Sequence, residues 1–285
     1  MGKNRVAADG NDPVLVALDW MREWRRGAPQ RREERERLRI AEVARKELTA
    51  ERMAEVDLPE GTDLTALLAE PDEDALYRID QLWPRHGNVV FAAAYKAGKT
   101  TTVGNVIRCL VDGDRFLGVH STDPVMSGQT VGVLDYEMPR AKVKAWLRDQ
   151  GIKNRGSVVI WTERGRAGLF DPRDETSRAK WAAALSAASV KVWLIDCLSP
   201  ILSALGIDEN NNTEVGAVLD GINAIAAESS VLEVLLIHHM GHSAERSRGA
   251  SRLVGWPDVN WRLMRAKDSG DPNAEPDPDA PRFFT

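Results

Sequence analysis

The chain has 285 residues, of which 43% are apolar, so it is long enough for one sizeable α/β domain plus an extension. Its 38 basic and 43 acidic residues give a net charge of −5, which excludes a surface that is basic overall, and any DNA contact must therefore be local. The sequence contains no run of 18 apolar residues and no apolar segment behind its first five residues, which predicts a cytoplasmic protein with no membrane partner.

Residues 1–75 are predicted to form a charged helical extension and a linker. The segment 21–55 is dense in charge, and Glu33 with Arg37 and Glu42 with Lys46 are four residues apart, the spacing that supports a solvated helix. Its apolar residues form only a thin stripe. Two interpretations stay open: an exposed arm without a specific role, and an arm that docks on a neighbouring subunit or partner.

Residues 76–267 alternate predicted strands with predicted helices. The strands are 88–94, 131–135, 158–161, 190–196, 231–237 and 259–264, and the helices after the first strand include 139–150, 175–188 and 213–229. This alternation predicts an α/β fold with a mostly parallel central sheet flanked by helices. Ligands of such sheets bind at the carboxyl ends of the strands.

The first of these strands is followed by a glycine-lysine-threonine motif and an amphipathic helix, the layout of a P-loop that binds nucleoside triphosphates. Lys99 is predicted to reach the β- and γ-phosphates, and Thr100 to bind Mg²⁺. Ala93 stands where the usual pattern has its first glycine. The alternative is a chance motif in a strand-to-helix turn. The predicted phosphate-binding residues are Ala94, Tyr95, Lys96, Ala97, Gly98, Lys99, Thr100 and Thr101.

Two further predicted strands end in carboxylates. Asp196 closes an apolar strand, as in enzymes that hold a Mg²⁺-bound water there, although it could also be a helix cap. Glu137 follows the strand 131–135 and could accept a proton from the water that attacks the γ-phosphate, or merely complement the dipole of the next helix.

A third strand ends in two histidines, His238 and His239, which could contact the γ-phosphate or simply lie on the surface. A zinc site is not expected, because no cysteine or third ligand lies at a suitable spacing. Cys109 and Cys197 are far apart in sequence, so both are predicted to be small buried packing residues.

The segment 241–253 carries the local cationic cluster of Arg246, Arg248 and Arg252, spaced by small residues. Such spacing suits contacts with the DNA backbone, and solvated loop arginines are the alternative. Residues 268–285 read as an acidic, proline-rich linker that leads into the start of a strand, so we expect the natural product to be longer.

Taken in this order, the motifs resemble the RecA-fold P-loop ATPases, and among them the hexameric RepA-like helicase ATPases of plasmids and phages. The resemblance covers residues 80–265. It implies that Glu137 is the catalytic base, that Asp196 lies on the magnesium side and that His239 is the γ-phosphate sensor. It also implies DNA-facing loops at 206–213 and 241–252.

The family's arginine finger is expected near residue 258 and has no clear counterpart, so Arg262 and Arg265 are the nearest candidates. From the resemblance we expect an ATP- and Mg²⁺-dependent ATPase of phage or mobile-element origin, forming a ring such as a hexamer. It would act on single-stranded DNA, as a helicase or helicase loader, together with replication proteins. The alternatives are a regulatory nucleotide switch that acts through protein partners, and an inactive nucleotide-binding assembly module.

Overall fold

A computed structural model describes residues 33–37, 39–40, 43–44, 46–47, 51, 60–71, 76–93, 97–239, 250–265 and 281–285. It divides the chain into two units, Met1–Pro71 and Asp72–Thr285. In the first unit the described residues between 33 and 51 are helical and exposed. Helix α1 (Leu64–Ala69) begins at Asp63, whose carboxylate accepts hydrogen bonds from the backbone N–H groups of Thr65 and Ala66 at 2.9 and 3.1 Å.

The second unit is built on a seven-stranded sheet, which confirms the predicted α/β fold with a mostly parallel sheet flanked by helices. The spatial order is β5-β4-β6-β7-β3-β8-β9, and among these strands the β8–β9 pair is antiparallel. The strands are β3 (Val89–Ala93), β4 (Thr130–Asp135), β5 (Val158–Thr162), β6 (Val190–Asp196), β7 (Glu233–His239), β8 (Val259–Arg265) and β9 (Arg282–Phe284). Two short strands, β1 (Tyr77–Ile79) and β2 (Trp83–Pro84), form a separate antiparallel ribbon.

Helices cover both faces of this sheet. They are α2 (Lys99–Asp112), α3 (Arg140–Asp149), α4 (Glu175–Ala187), α5 (Leu198–Ala204), α6 (Asn212–Ser229) and α7 (Arg252–Gly255). Successive strand residues point to opposite faces, so Val90 belongs to the apolar layer beneath α4 and α6 while Phe91 belongs to the layer beneath α2. Because both faces are buried, the strands read as continuous apolar runs.

One strand lies two residues further along the chain than the sequence predicted. The apolar pattern placed it at 231–237, whereas β7 is Glu233–His239 and contains both histidines. The pattern failed because the apolar Val231 lies in the turn after α6, where its N–H donates to the carbonyl of Ala226, and because the polar His238 is buried within the strand. The first residue of β7, Glu233, is also fully buried, and the guanidinium groups of Arg78 and Arg85 contact its carboxylate at 3.1 and 3.3 Å. A buried carboxylate is tolerated when it is paired in this way.

Candidate nucleotide-binding site

The predicted P-loop joins β3 to α2. Ala93 is the last residue of the strand, so the loop begins there without requiring a glycine. Gly98 precedes the helix at φ +106°, a backbone conformation that favours glycine. Its carbonyl accepts hydrogen bonds from the backbone N–H and the hydroxyl of Thr102 at 2.9 and 3.1 Å. Ala94, Tyr95 and Lys96 lie outside the described residues, whereas Ala97 is buried.

Lys99 lies between the two predicted catalytic carboxylates. Its ammonium is 2.9 Å from Oε2 of Glu137 and 3.1 Å from Oδ1 of Asp196. These residues come from α2, the loop after β4 and the end of β6, and they meet because parallel strands bring their carboxyl ends to one edge of the sheet. The fold therefore brings together three residues that are distant in sequence, each of which was predicted from a different motif.

The ionisable groups of this cluster shift one another's pKa values. Burial alone lowers the pKa of Lys99, but the carboxylates of Asp196 and Glu137 outweigh burial, and the pKa is raised overall. The hydrogen bond from His239 and the contacts with Lys99 hold the pKa of Glu137 well below its usual range. Burial raises the pKa of Asp196, and Lys99 opposes that rise. Glu137 is accordingly ionised at neutral pH, as a proton acceptor must be.

Asp135 positions Glu137 and was not singled out from the sequence. Its Oδ1 accepts hydrogen bonds from the backbone N–H groups of Glu137 and Met138 at 3.1 and 2.7 Å, which fixes the turn after β4. Its Oδ2 is buried without a hydrogen-bond partner among the described residues, and burial raises the pKa of Asp135 to about 6. The sequence feature that could have identified Asp135 is the pattern Asp-x-Glu at the end of an apolar strand.

His239 faces the site, whereas His238 does not. The Nε2 atom of His239 lies 3.0 Å from Oε1 of Glu137, and 45% of the side chain is exposed. His238 is fully buried, with Nδ1 3.5 Å from the hydroxyl oxygen of Ser199. The two histidines therefore have different surroundings because neighbouring residues of a strand point to opposite faces.

The interpretation of Cys197 as a mere packing residue needs correction. It is buried as predicted, but its thiol donates a hydrogen bond to Oε1 of Glu137 at 3.2 Å, and its sulfur lies 3.6 Å from Nε2 of His239. The expectation that no zinc site exists rested on the lack of a cysteine at a suitable spacing, and the structure places Cys197 next to His239 all the same. That expectation used spacing along the chain, whereas β6 and β7 are adjacent strands of the sheet.

The carboxylate cluster opens into a cleft of about 1170 Å³. Thr100 and Glu137 line it, together with Thr101, Tyr136, Met138, Lys142, Ala145, Trp146, Asp149, Gln150, Arg164 and Pro200. The Thr100 hydroxyl and the Asp196 carboxylate offer the oxygen ligands that Mg²⁺ prefers. Among the described residues, the ion pairs of Lys99 are with two carboxylates, and such a lysine fits a phosphate site because phosphate oxygens can replace those contacts.

Neither of the two candidate arginines whose side chains the structure describes, Arg252 and Arg262, lines this cleft. Arg246 and Arg248 lie outside the described residues. Arg252 is in α7, where its guanidinium forms a 2.8 Å ion pair with Asp220 of α6. Arg262 lies within β8, in register with Ala92, and Arg265 ends the same strand, its side chain being outside the described part of the structure.

Arg282 contacts the phosphate-binding loop and was missed by the sequence reasoning. Its Nε donates a hydrogen bond of 2.9 Å to the carbonyl oxygen of Ala97. It lies in β9, which pairs with β8, and β8 pairs with the P-loop strand β3. Phe284 of the same strand packs against Phe91 and Trp261, which ties β9 to the core. No motif could reveal a contact between residues this far apart in sequence.

Comparison with protein families agrees with this geometry. A family model for an AAA domain matches residues 49–245, more than half of the chain. The chain belongs to this AAA domain family. The family is one of AAA-type P-loop ATPases, so the AAA domain of this chain is of the kind that binds nucleotide. A search among curated proteins finds no match. Within the described part of the AAA domain and its flanks, every helix is too short or too polar to cross a membrane.

Proposed function

We propose that this chain binds ATP with Mg²⁺ and hydrolyses it to ADP and phosphate in order to act on DNA. The observation that carries the proposal is the position of the Lys99 ammonium, which lies 2.9 Å from Glu137 and 3.1 Å from Asp196 at the mouth of a P-loop. A lysine, a strand-end aspartate and a glutamate around one point supply the charges that phosphoryl transfer needs.

Each residue has a separate task in the proposed reaction. Lys99 exchanges its carboxylate contacts for the β- and γ-phosphate oxygens, which releases Oε2 of Glu137. Glu137 then accepts the proton of the water that attacks the γ-phosphate in line. Thr100 and Asp196 would hold Mg²⁺, which would neutralise charge on the phosphates.

His239 couples the state of Glu137 to the next segment of the chain. Its Nε2 lies 3.0 Å from Oε1 of Glu137 and it is the last residue of β7. We expect a change at the γ-phosphate that moves Glu137 to be passed through this contact to His239, which precedes the DNA-contact candidates Arg246 and Arg248 in the chain. This connection supports the role of His239 as a γ-phosphate sensor.

The action on DNA and the ring-shaped assembly rest on the resemblance to RepA-like helicase ATPases of plasmids and phages. In such rings the active site lies between subunits and takes a cation from the neighbour, for which Arg262 and Arg265 are our candidates. Single-stranded DNA would bind the arginine-bearing segment after β7, with replication proteins as further partners.

A regulatory switch that acts through protein partners is the second candidate. The ion pair between Arg252 and Asp220 favours it, because one of the three arginines proposed for DNA contact is already partnered within the chain. The net charge of −5 points in the same direction.

An ATPase assay with and without single-stranded DNA separates these candidates. The DNA motor predicts hydrolysis that DNA stimulates, the switch predicts hydrolysis that DNA leaves unchanged, and the inactive module predicts binding alone. A dependence of specific activity on protein concentration, followed with light scattering, tests the shared site. Full activity from a monodisperse monomer would contradict the ring.

A further inference from the structure

Glu137, Cys197 and His239 present three different metal-binding atoms to one point. The separations are 3.2 Å from Sγ to Oε1 of Glu137, 3.6 Å from Sγ to Nε2 of His239 and 3.0 Å from that Nε2 to Oε1. Tetrahedral Zn²⁺ with ordinary bond lengths requires separations of about 3.5, 3.6 and 3.3 Å for the same pairs. The donor atoms therefore need to shift by only a few tenths of an ångström.

We propose that Glu137, Cys197 and His239 form a Zn²⁺ site in the nucleotide-free protein, and that zinc bound there stops ATP hydrolysis. The donor set selects the metal, because thiolate and imidazole favour zinc over magnesium. The magnesium position proposed above uses the Thr100 hydroxyl and the Asp196 carboxylate, so the two metals have different ligands.

The surroundings suit a divalent cation. Lys99 contacts Oε2 of Glu137 and leaves Oε1 to the cysteine and the histidine, so zinc does not have to displace the ammonium. Glu137 is ionised, and binding of Zn²⁺ with release of the thiol proton to solvent adds one net positive charge beside it.

The site is accessible from one side. Cys197 is fully buried, whereas the side chains of His239 and Glu137 are 45% and 30% exposed. Zinc can enter past the histidine, and a water molecule from that side can supply the fourth ligand. Burial raises the pKa of the Cys197 thiol, and bound zinc reverses this preference because a coordinating thiol is deprotonated.

The inhibitory part of the inference rests on the proposed function. Zinc on Oε1 draws electron density from the carboxylate, so Oε2 becomes too weak a base to accept the proton of the attacking water, and turnover stops while the P-loop stays intact. The binding part does not depend on ATP hydrolysis and can be tested alone.

Titration of the nucleotide-free full chain with Co²⁺, as a coloured probe for zinc, tests binding. We expect a thiolate-to-cobalt absorption that saturates at one equivalent and that Zn²⁺ removes. Cys197→Ser should abolish this absorption. Cys109→Ser is the matched control, because Cys109 is equally buried in the same apolar layer and should not affect it. If Cys197→Ser folds poorly, as judged by circular dichroism, His239→Gln tests the site in its place. We expect its affinity for Co²⁺ to be at least about tenfold lower than that of the parent.

An absent thiolate absorption, or one that survives in Cys197→Ser, would overturn the site. In a second experiment Zn²⁺ is added to the ATPase assay at fixed Mg²⁺ and ATP. We expect inhibition that a zinc-selective chelator reverses, and a half-inhibiting concentration at least about tenfold higher for Cys197→Ser. Cobalt binding without zinc inhibition would overturn the inhibitory part. If no sample hydrolyses ATP, the proposed function fails, and the cobalt titration still decides the metal site.

Discussion

The ammonium of Lys99 forms a 2.9 Å ion pair with the carboxylate of Glu137, so the residue predicted to bind phosphate neutralises the residue predicted to accept the proton. This pair has a direct consequence for the order of events. Nucleotide phosphates must draw Lys99 away before Oε2 of Glu137 becomes available to a water molecule. Binding of ATP would thus make the catalytic base available for hydrolysis.

Lys99→Ala should weaken ATP binding by about two orders of magnitude, since each charge-assisted hydrogen bond contributes about 1.5–3 kcal/mol. Calorimetric titration with ATP and Mg²⁺ measures the loss. Lys153→Ala is the control, because that side chain is 75% exposed and lies on a different part of the molecule. Unchanged ATP affinity in Lys99→Ala would remove the P-loop assignment.

Glu137→Gln should keep ATP binding and slow turnover at least about 100-fold, because the amide preserves the shape and cannot accept the proton. Binding is measured by calorimetry and turnover by phosphate release. Glu163→Gln serves as the comparison, since Glu163 follows the neighbouring strand β5 and pairs with Arg166. Hydrolysis within about threefold of the parent would mean that the base lies elsewhere.

Arg246→Ala combined with Arg248→Ala should flatten the salt dependence of single-stranded DNA binding. Each lost phosphate contact removes about 0.7 from the slope of log affinity against log salt concentration. Fluorescence anisotropy at several salt concentrations gives this slope. Arg252→Ala should change the slope less, because its guanidinium is paired with Asp220. A slope that stays the same in the double variant favours the switch over the DNA motor.

Arg282→Ala should weaken ATP binding by roughly fivefold, the equivalent of about one hydrogen bond of 1 kcal/mol. The variant loses the 2.9 Å bond that holds the carbonyl of Ala97, and the phosphate-binding loop becomes less ordered. Calorimetry with ATP detects the difference. Phe283→Ala on the same strand is the control, since that side chain is 54% exposed. Equal affinities in the two variants would show that β9 does not support the loop.

Gly221→Ala in α6 should destabilise the fold, although alanine favours helices by about 1 kcal/mol over glycine. A methyl group there would collide with the backbone carbonyl of Pro172, which cannot move as a side chain can. In Gly216→Ala, a substitution in the same helix, the nearest neighbours of the added methyl group are atoms of the flexible side chain of Arg252, the closest at 3.2 Å. Urea unfolding should therefore give a lower free energy for Gly221→Ala than for Gly216→Ala, and the opposite order would contradict the close packing of α6.

Local patterns predicted much of the architecture. The strand 190–196 was predicted with the bounds it has, and α6 was predicted within one residue of its start, because buried strands and amphipathic helices have periodic apolar residues that can be read directly. The P-loop was recognisable since its lysine and threonine are adjacent in sequence. Strand β7 was placed two residues early because the apolar Val231 lies in the turn before it and the polar His238 is buried inside it.

The sequence by itself determined which residues are ionisable and where most of the strands and helices lie, since both depend on the residues along the chain. Only the tertiary structure decided that Cys197 and His239 meet at Glu137, and that Arg282 reaches Ala97. These contacts arise from the order of strands in the sheet, in which β6 lies beside β7 and β9 lies two strands from β3. Strand order is set by the packing of whole elements, and no spacing between residues records it.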